Sequence, residues 1–130
     1  MASFRLEDLE VYAKAVAADA DISALLRRSN FHHDLRLKAQ ISDAASSVPS
    51  NIAEGHGQQT DRGFAHYLYI SRGNAKEVRA RLLSAMHRGY VRRTDCETYD
   101  KRYEEILKML WGLIRHLEKE NRKYRGSRQD

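Results

Sequence analysis

Glu54 and His56 place a carboxylate and an imidazole two residues apart at the end of a helical pattern. Such a pair could move a proton in general acid–base chemistry. No nucleophile, oxyanion donor or phosphate-binding loop accompanies it, and Ser46-Ser47 lacks the form of a nucleophile elbow. A structural role is the stronger reading: Asn51 and Glu54 are expected to hold a kink in that helix and the following loop, or to bond across a subunit contact. His32-His33-Asp34 could suggest a metal site, but adjacent histidines in a turn point apart and no third ligand has a fitting spacing. Asp34 is expected in the first turn of a helix instead. Cys96 is the sole cysteine, which excludes an internal disulfide and a cysteine-based zinc site. It lies in a capping turn without a histidine partner and is expected to be inert. No catalysis, metal or cofactor is therefore expected.

The stronger chemical signal is basic. Residues 1–78 hold nine Lys and Arg against ten Asp and Glu, whereas residues 79–130 hold fourteen against eight, so the net charge of +5 comes from the second half. Such asymmetry suggests a polyanion or an acidic partner. The candidates are Arg88, Arg92 and Arg93 before the last helix, Lys101 and Arg102 within it, and Lys119, Arg122, Lys123, Arg125 and Arg128 toward the end. Lys101, Lys108, Arg115, Lys119 and Arg122 recur at spacings of seven, seven, four and three, which gives them one broad outward face. Clustered cations of this kind bind nucleic acid chiefly through phosphates. Tyr90 and Tyr124 sit among them and could stack on bases, although packing is the commoner role of either. The plain alternative is a solvated surface that keeps the protein soluble.

Four helices must position these residues. The first is expected over about Glu7 to Leu26, with Leu9, Tyr12, Ala13, Val16 and Ala20 inward. The second runs from about Asp34 to Ala53, with Ile41, Ala44, Ala45, Val48 and Ile52 on one face. Pro49, the only proline, falls inside it and removes one backbone donor at a cost of about 3 kcal/mol. Either the helix breaks there or a kink is tolerated, with Ser46, Ser47 or Ser50 bonding the freed Ala45 carbonyl. Gly55 is expected to be a left-handed cap. Thr60 reads as the N-cap of the third helix, whose stripe is Phe64, Tyr67, Leu68, Ser71, Asn74, Ala75, Val78, Leu82 and Ala85. Gly89 ends it, with Tyr90 and Val91 folding back. Thr94 and Glu97 have the spacing of a capping box. The fourth helix then carries Tyr99, Tyr103, Ile106, Leu110, Leu113 and Leu117 in a heptad seam, widened by Trp111 and Ile114. Beyond Leu117 the polar tail is expected to fray.

No segment alternates with a period of two, so the chain reads as all-α: an antiparallel up-down-up-down four-helix bundle with a second helix kinked at Pro49. The domain covers residues 1–120, and residues 121–130 form a basic, partly mobile tail. Gly73, Gly112 and Ala45 are expected where neighbouring backbones come close. Tyr99, Tyr103, Trp111, Ile114 and Tyr124 exceed what one core needs, which suggests subunit contacts. No apolar run nears the roughly 20 residues that span a bilayer, and no signal peptide is evident. A cytoplasmic protein is expected.

Several blocks resemble a known family. They are Phe4 through Tyr12, Leu37 through Ile41, Ser47 through Gly55, Phe64 through Gly73, and Met109-Leu110-Trp111-Gly112-Leu113-Ile114. In this order they resemble the four-helix-bundle family of proteins encoded in intervening sequences of bacterial large-subunit rRNA genes. Val48-Pro49-Ser50-Asn51-Ile52-Ala53-Glu54-Gly55 is the most specific block. The chain departs from the family at Ser42-Asp43, where basic residues are usual, and at Asn74, where a serine is usual. The same fold is similar to the accessory variability determinant of diversity-generating retroelements. The resemblance implies a ring, commonly a homopentamer, that binds RNA or DNA and could serve a reverse transcriptase. A protein-interaction scaffold without nucleic-acid binding is the rival expectation.

Overall fold

Leu6–Asp8 form one 3-10 turn, and four helices follow: α1 (Glu10–Arg28), α2 (Leu35–His56), α3 (Asp61–His87) and α4 (Arg93–Gln129). The computed structural model describes residues 5–129, with the side chains of Arg125 and of residues 127–129 left out. Phe4 and the side chains of Arg125 and Arg128, named above, lie outside the described residues. Among the described residues there is no strand.

Polar pairs fix the directions of the helices. Lys14–Glu105 (2.9 Å), Asp21–Arg102 and Arg28–Asp95 (3.2 Å) link α1 to α4 as numbers rise on one and fall on the other. Arg79–Asp100 (2.7 Å) and Tyr69–Glu118 (2.7 Å) do the same for α3 and α4. Each helix packs on its sequence neighbours and α1 closes on α4. The result is the expected antiparallel four-helix bundle.

α1 starts later than expected because Leu9 is extended (φ −75°, ψ 112°), so Leu6 and Leu9 pack on the core from a separate turn. Val16 faces outward from α1, and Ala15, Ala18 and Ile22 take the core positions. α2 continues through Pro49, whose ring is buried, and ends at His56. The serines do not serve the Ala45 carbonyl. Ser47 donates to Asp43 O (2.7 Å) and Ser50 to Ser46 O (2.9 Å), because each hydroxyl reaches back one turn from its own position. The proline region gains a cross-helix bond instead: buried Ser71 of α3 donates its hydroxyl to Val48 O at 2.8 Å.

Gly55 is not a left-handed cap. It is a buried residue inside α2, and the helix stops at Gly57 with an ordinary right-handed φ of −77°. A Cβ on Gly55 would lie 2.9 Å from Phe64 Cδ1, 3.0 Å from Phe64 O and 3.0 Å from Tyr67 Cβ. Glycine is there so that α2 and α3 can touch. Gly73 and Gly112 reverse the expectation too: both are exposed, and an added Cβ would meet nothing within 4 Å.

α3 follows its sequence pattern closely. Thr60 Oγ1 accepts from Gly63 N at 3.0 Å. At the other end Gly89 has φ +80°, its N–H bonds Met86 O (2.9 Å), and Tyr90 N–H bonds Ala85 O (2.8 Å). These are the two bonds of a Schellman cap. α4 starts at Arg93, with Cys96 N–H bonding Arg92 O (3.0 Å), so Thr94 is already helical and its capping box does not form. Ile114 is buried where Leu113 was expected, because a straight helix drifts from a strict seven-residue repeat. Residues 121–129 continue α4.

Tyr103 is fully buried at the centre, and its hydroxyl meets no hydrogen-bond partner among the described residues. Burial, with Asp19 nearby, pushes its phenol pKa far up. A buried hydroxyl without a partner costs about 1–3 kcal/mol. Tyr103→Phe is therefore expected to raise stability by about 1 kcal/mol, measured by urea denaturation; a loss of stability would show that the hydroxyl is satisfied.

Candidate nucleic-acid interface

α4 has 37 residues and α3 has 27. At 1.5 Å per residue they span about 55 Å and about 40 Å. α4 is thus the one element long enough to carry charge along the whole bundle. Its inner side holds Tyr103, Ile106, Leu110, Ile114 and Leu117, all buried. Lys101, Lys108, Arg115, Lys119 and Arg122 are all exposed on the side opposite. Four of these five make no ion pair among the described residues; Lys108 lies 3.4 Å from Glu104. The expected outward face is therefore present.

The remaining candidates divide. Arg93 is exposed at the start of α4, beside a groove of about 500 Å³ lined also by Lys76, Arg79, Leu83, Met86 and Cys96. Burial pushes the Cys96 thiol up, which suits an inert residue. Lys123 lies 3.6 Å from Glu120. Arg88 and Arg92 are both engaged by carboxylates, Arg88 across the bundle end and Arg92 at the first turn of α4. Arg88 donates to Asp34 Oδ2 at 2.7 Å, and Tyr90 Oη donates to the same oxygen at 3.1 Å. Asp34 Oδ1 accepts from Leu37 N at 3.3 Å, so Asp34 is the N-cap of α2 rather than a first-turn residue. The Phe31 and Tyr90 rings lie 5.1 Å apart in the same cluster. Tyr90 is thereby a packing residue. Arg92 reaches Asp95 (3.3 Å), which also takes Arg28. His32 and His33 sit in this turn at φ 50° and 72°.

The Leu37 amide, then Arg88 and Tyr90, hold the Asp34 carboxyl below its ordinary range, against the opposing effect of desolvation. Arg79 does the same for Asp100. A carboxylate with a depressed folded pKa stabilises fully above its unfolded value, near 3.8, and that stability disappears as pH falls through the folded value. Asp19 opposes this trend, because burial raises its pKa. Thermal unfolding should show a melting temperature that drops below about pH 4, and Asp34→Asn should reduce the difference between pH 7 and pH 3. An Asp34→Asn variant with the same acid loss as the parent would remove Asp34 from this account.

Asn51 stays within α2, its Nδ2 donating to Ser47 O at 3.0 Å, and Glu54 is exposed. Among the described residues neither side chain bonds the following loop; the Glu54 backbone carbonyl does, accepting from Gln58 Nε2 at 3.3 Å. Among the described residues no three His, Cys, Asp or Glu side chains converge as a metal site.

Sequence reasoning missed Tyr69 and Arg72. Both lie on the outer side of α3, three residues apart, and the bundle brings them beside Trp111 of α4. The Arg72 guanidinium lies over the indole at 5.1 Å, and the Tyr69 ring meets it edge-on at 6.3 Å. Trp111 remains 41% exposed. The signal was an outer α3 stripe whose neighbour on α4 spacing alone does not reveal.

These features define a class: an antiparallel four-helix bundle with a long fourth helix that is basic on its outer face. A family model described as 23S rRNA-intervening sequence protein matches residues 7–112, and the chain belongs to that family. A solved structure from Bacteroides thetaiotaomicron, a protein of unknown function from the S23 ribosomal protein family, has the same fold. It is 24% identical with a TM-score of 0.72, covering 81% of this chain and 95% of that one. No curated protein matches the chain.

Proposed function

We propose that this protein is a non-enzymatic, homo-oligomeric RNA-binding accessory protein of the cytoplasm. The single observation that carries this reading is the row of exposed cations along α4, on the side turned away from the core, four of the five without an ion pair among the described residues. Membership of a family named for 23S rRNA supports it. Binding is electrostatic: Lys101, Arg115, Lys119 and Arg122 contact phosphates and release counterions. Assembly into a ring, most simply a homopentamer, repeats the row on every subunit and multiplies a weak attraction. Where a reverse transcriptase is encoded nearby, the ring would serve as its accessory subunit.

The test is RNA binding at two salt concentrations, with subunit count followed by light scattering. Affinity that falls steeply with salt supports the reading. A monomer that ignores polyanions at low ionic strength removes it. One observation favours a second reading, a protein-interaction scaffold: Leu83 is 47% exposed beside the α3–α4 groove that Met86 and Ala80 also line.

A further inference from the structure

We infer that Trp111 is a base-stacking position for single-stranded nucleic acid. This rests on the RNA-binding reading and specifies its ligand: unpaired bases, rather than duplex. The α4 row alone would suit any polyanion, since phosphates are common to single and double strands. Trp111 adds a flat, apolar surface that only an unstacked base can use, and stacking of this kind is tolerant of sequence.

Three observations place it. Trp111 is a large aromatic ring left 41% exposed, and the Tyr69 ring that meets it edge-on is 43% exposed, so the two form one aromatic surface open to solvent. Its ring already carries a planar partner, the Arg72 guanidinium at 5.1 Å, which makes no ion pair among the described residues. A base can take that place while the long Arg72 side chain swings to a phosphate. Cations also bracket the ring along α4: Lys108 one turn before and Arg115 one turn after, both exposed. The carboxylates nearby are already engaged, Glu104 with Lys108 and Glu118 with the Tyr69 hydroxyl.

The surface around Trp111 leaves room for a strand. Gly112 follows Trp111 and Gly73 follows Arg72; both are exposed, and a Cβ at either would meet no side chain and no neighbouring helix within 4 Å. From Tyr69 a groove of about 410 Å³ continues along α3 and α4, with Arg62, His66 and Arg122 among its walls. Trp111 to Arg122 is about 16 Å along the helix, room for a few nucleotides.

Trp111 is the only tryptophan in the chain, so its fluorescence reports on this surface without labelling. The probes are a 12-nucleotide oligouridylate, the matching oligodeoxyuridylate, and a 12-base-pair RNA duplex. The oligouridylate is expected to quench Trp111 emission saturably. The two single strands together test whether the ribose hydroxyl matters, and quenching by either one supports stacking. Trp111→Ala should weaken single-strand binding roughly five- to a hundredfold and leave duplex binding unchanged, and Trp111→Phe should retain most of the affinity. If Trp111→Ala fails to fold, the quench in the unaltered protein still decides.

Strand binding without a change in emission overturns the stacking role and leaves the RNA-binding reading standing. Absence of binding to all three probes overturns both. Emission that shifts to the blue with protein concentration, and does not respond to either single strand, assigns the surface to a second copy and also overturns the inference.

Discussion

Gly55→Ala is expected to lower the stability of the bundle by about 2 kcal/mol. Alanine is intrinsically better in a helix by about 1 kcal/mol, so local propensity alone predicts a gain. The tertiary contact reverses the sign. The new methyl would stand 3.0 Å from a backbone oxygen and 3.0 Å from a Cβ, neither of which can rotate away as a flexible chain end would. Overpacking of this kind costs about 1–3 kcal/mol, and a contact with backbone belongs at the upper end. Gly73→Ala and Gly112→Ala are the matched comparison. Nothing stands within 4 Å of either site, so each should gain up to about 1 kcal/mol. Urea denaturation at low protein concentration measures all three. Equal stability of Gly55→Ala and the parent would show that α2 and α3 can separate freely at this point.

The second large effect concerns binding. Replacing Lys101, Arg115, Lys119 and Arg122 together by Ala should reduce single-stranded RNA affinity by about two to three powers of ten at 0.1 M salt. For single strands each phosphate contact contributes about 0.7 to the slope of log affinity against log salt. Losing four contacts should flatten that slope by about 3. Folding should survive, because none of the four makes an ion pair among the described residues and all are exposed. Arg88→Ala with Arg92→Ala supplies the opposite pattern. Those side chains serve Asp34 and Asp95, so the change should lower stability and spare affinity. A fourfold variant with unaltered affinity and slope would take the α4 row out of the RNA-binding proposal.

The two sets of arginines show which information a sequence carries. The α4 row was legible because one helix and a fixed spacing decide it: seven, seven, four and three residues keep side chains on one face whatever surrounds them. The Phe64-to-Ala85 stripe and the Gly89 cap were legible for the same reason. Arg88 looked equally basic, yet its partner lies 54 residues away, and no local rule connects them. Gly55 failed in a related way. Glycine near a helix end usually marks a cap, and only the approach of Phe64 shows that this one marks a contact. Trp111 was legible as surplus apolar surface, but the Tyr69 and Arg72 that frame it belong to another helix. The N-terminal start of α1 was lost to Leu6 and Leu9, whose packing on the core outweighs helical continuity.

The Asp34 and Asp95 clusters lie at the same end of the molecule, where the α1–α2 and α3–α4 connections meet. That makes the bundle mechanically polar. Carboxylate-centred bonds tie the connections to the helices at this end: Asp34 takes Arg88 and Tyr90, and Asp95 takes Arg28 and Arg92. At the opposite end α4 lies against the start of α3 through shallow grooves, with Tyr69–Glu118 as the cross-helix bond near Lys119 and Arg122, so the register of the four rods is set chiefly by the clamped turns.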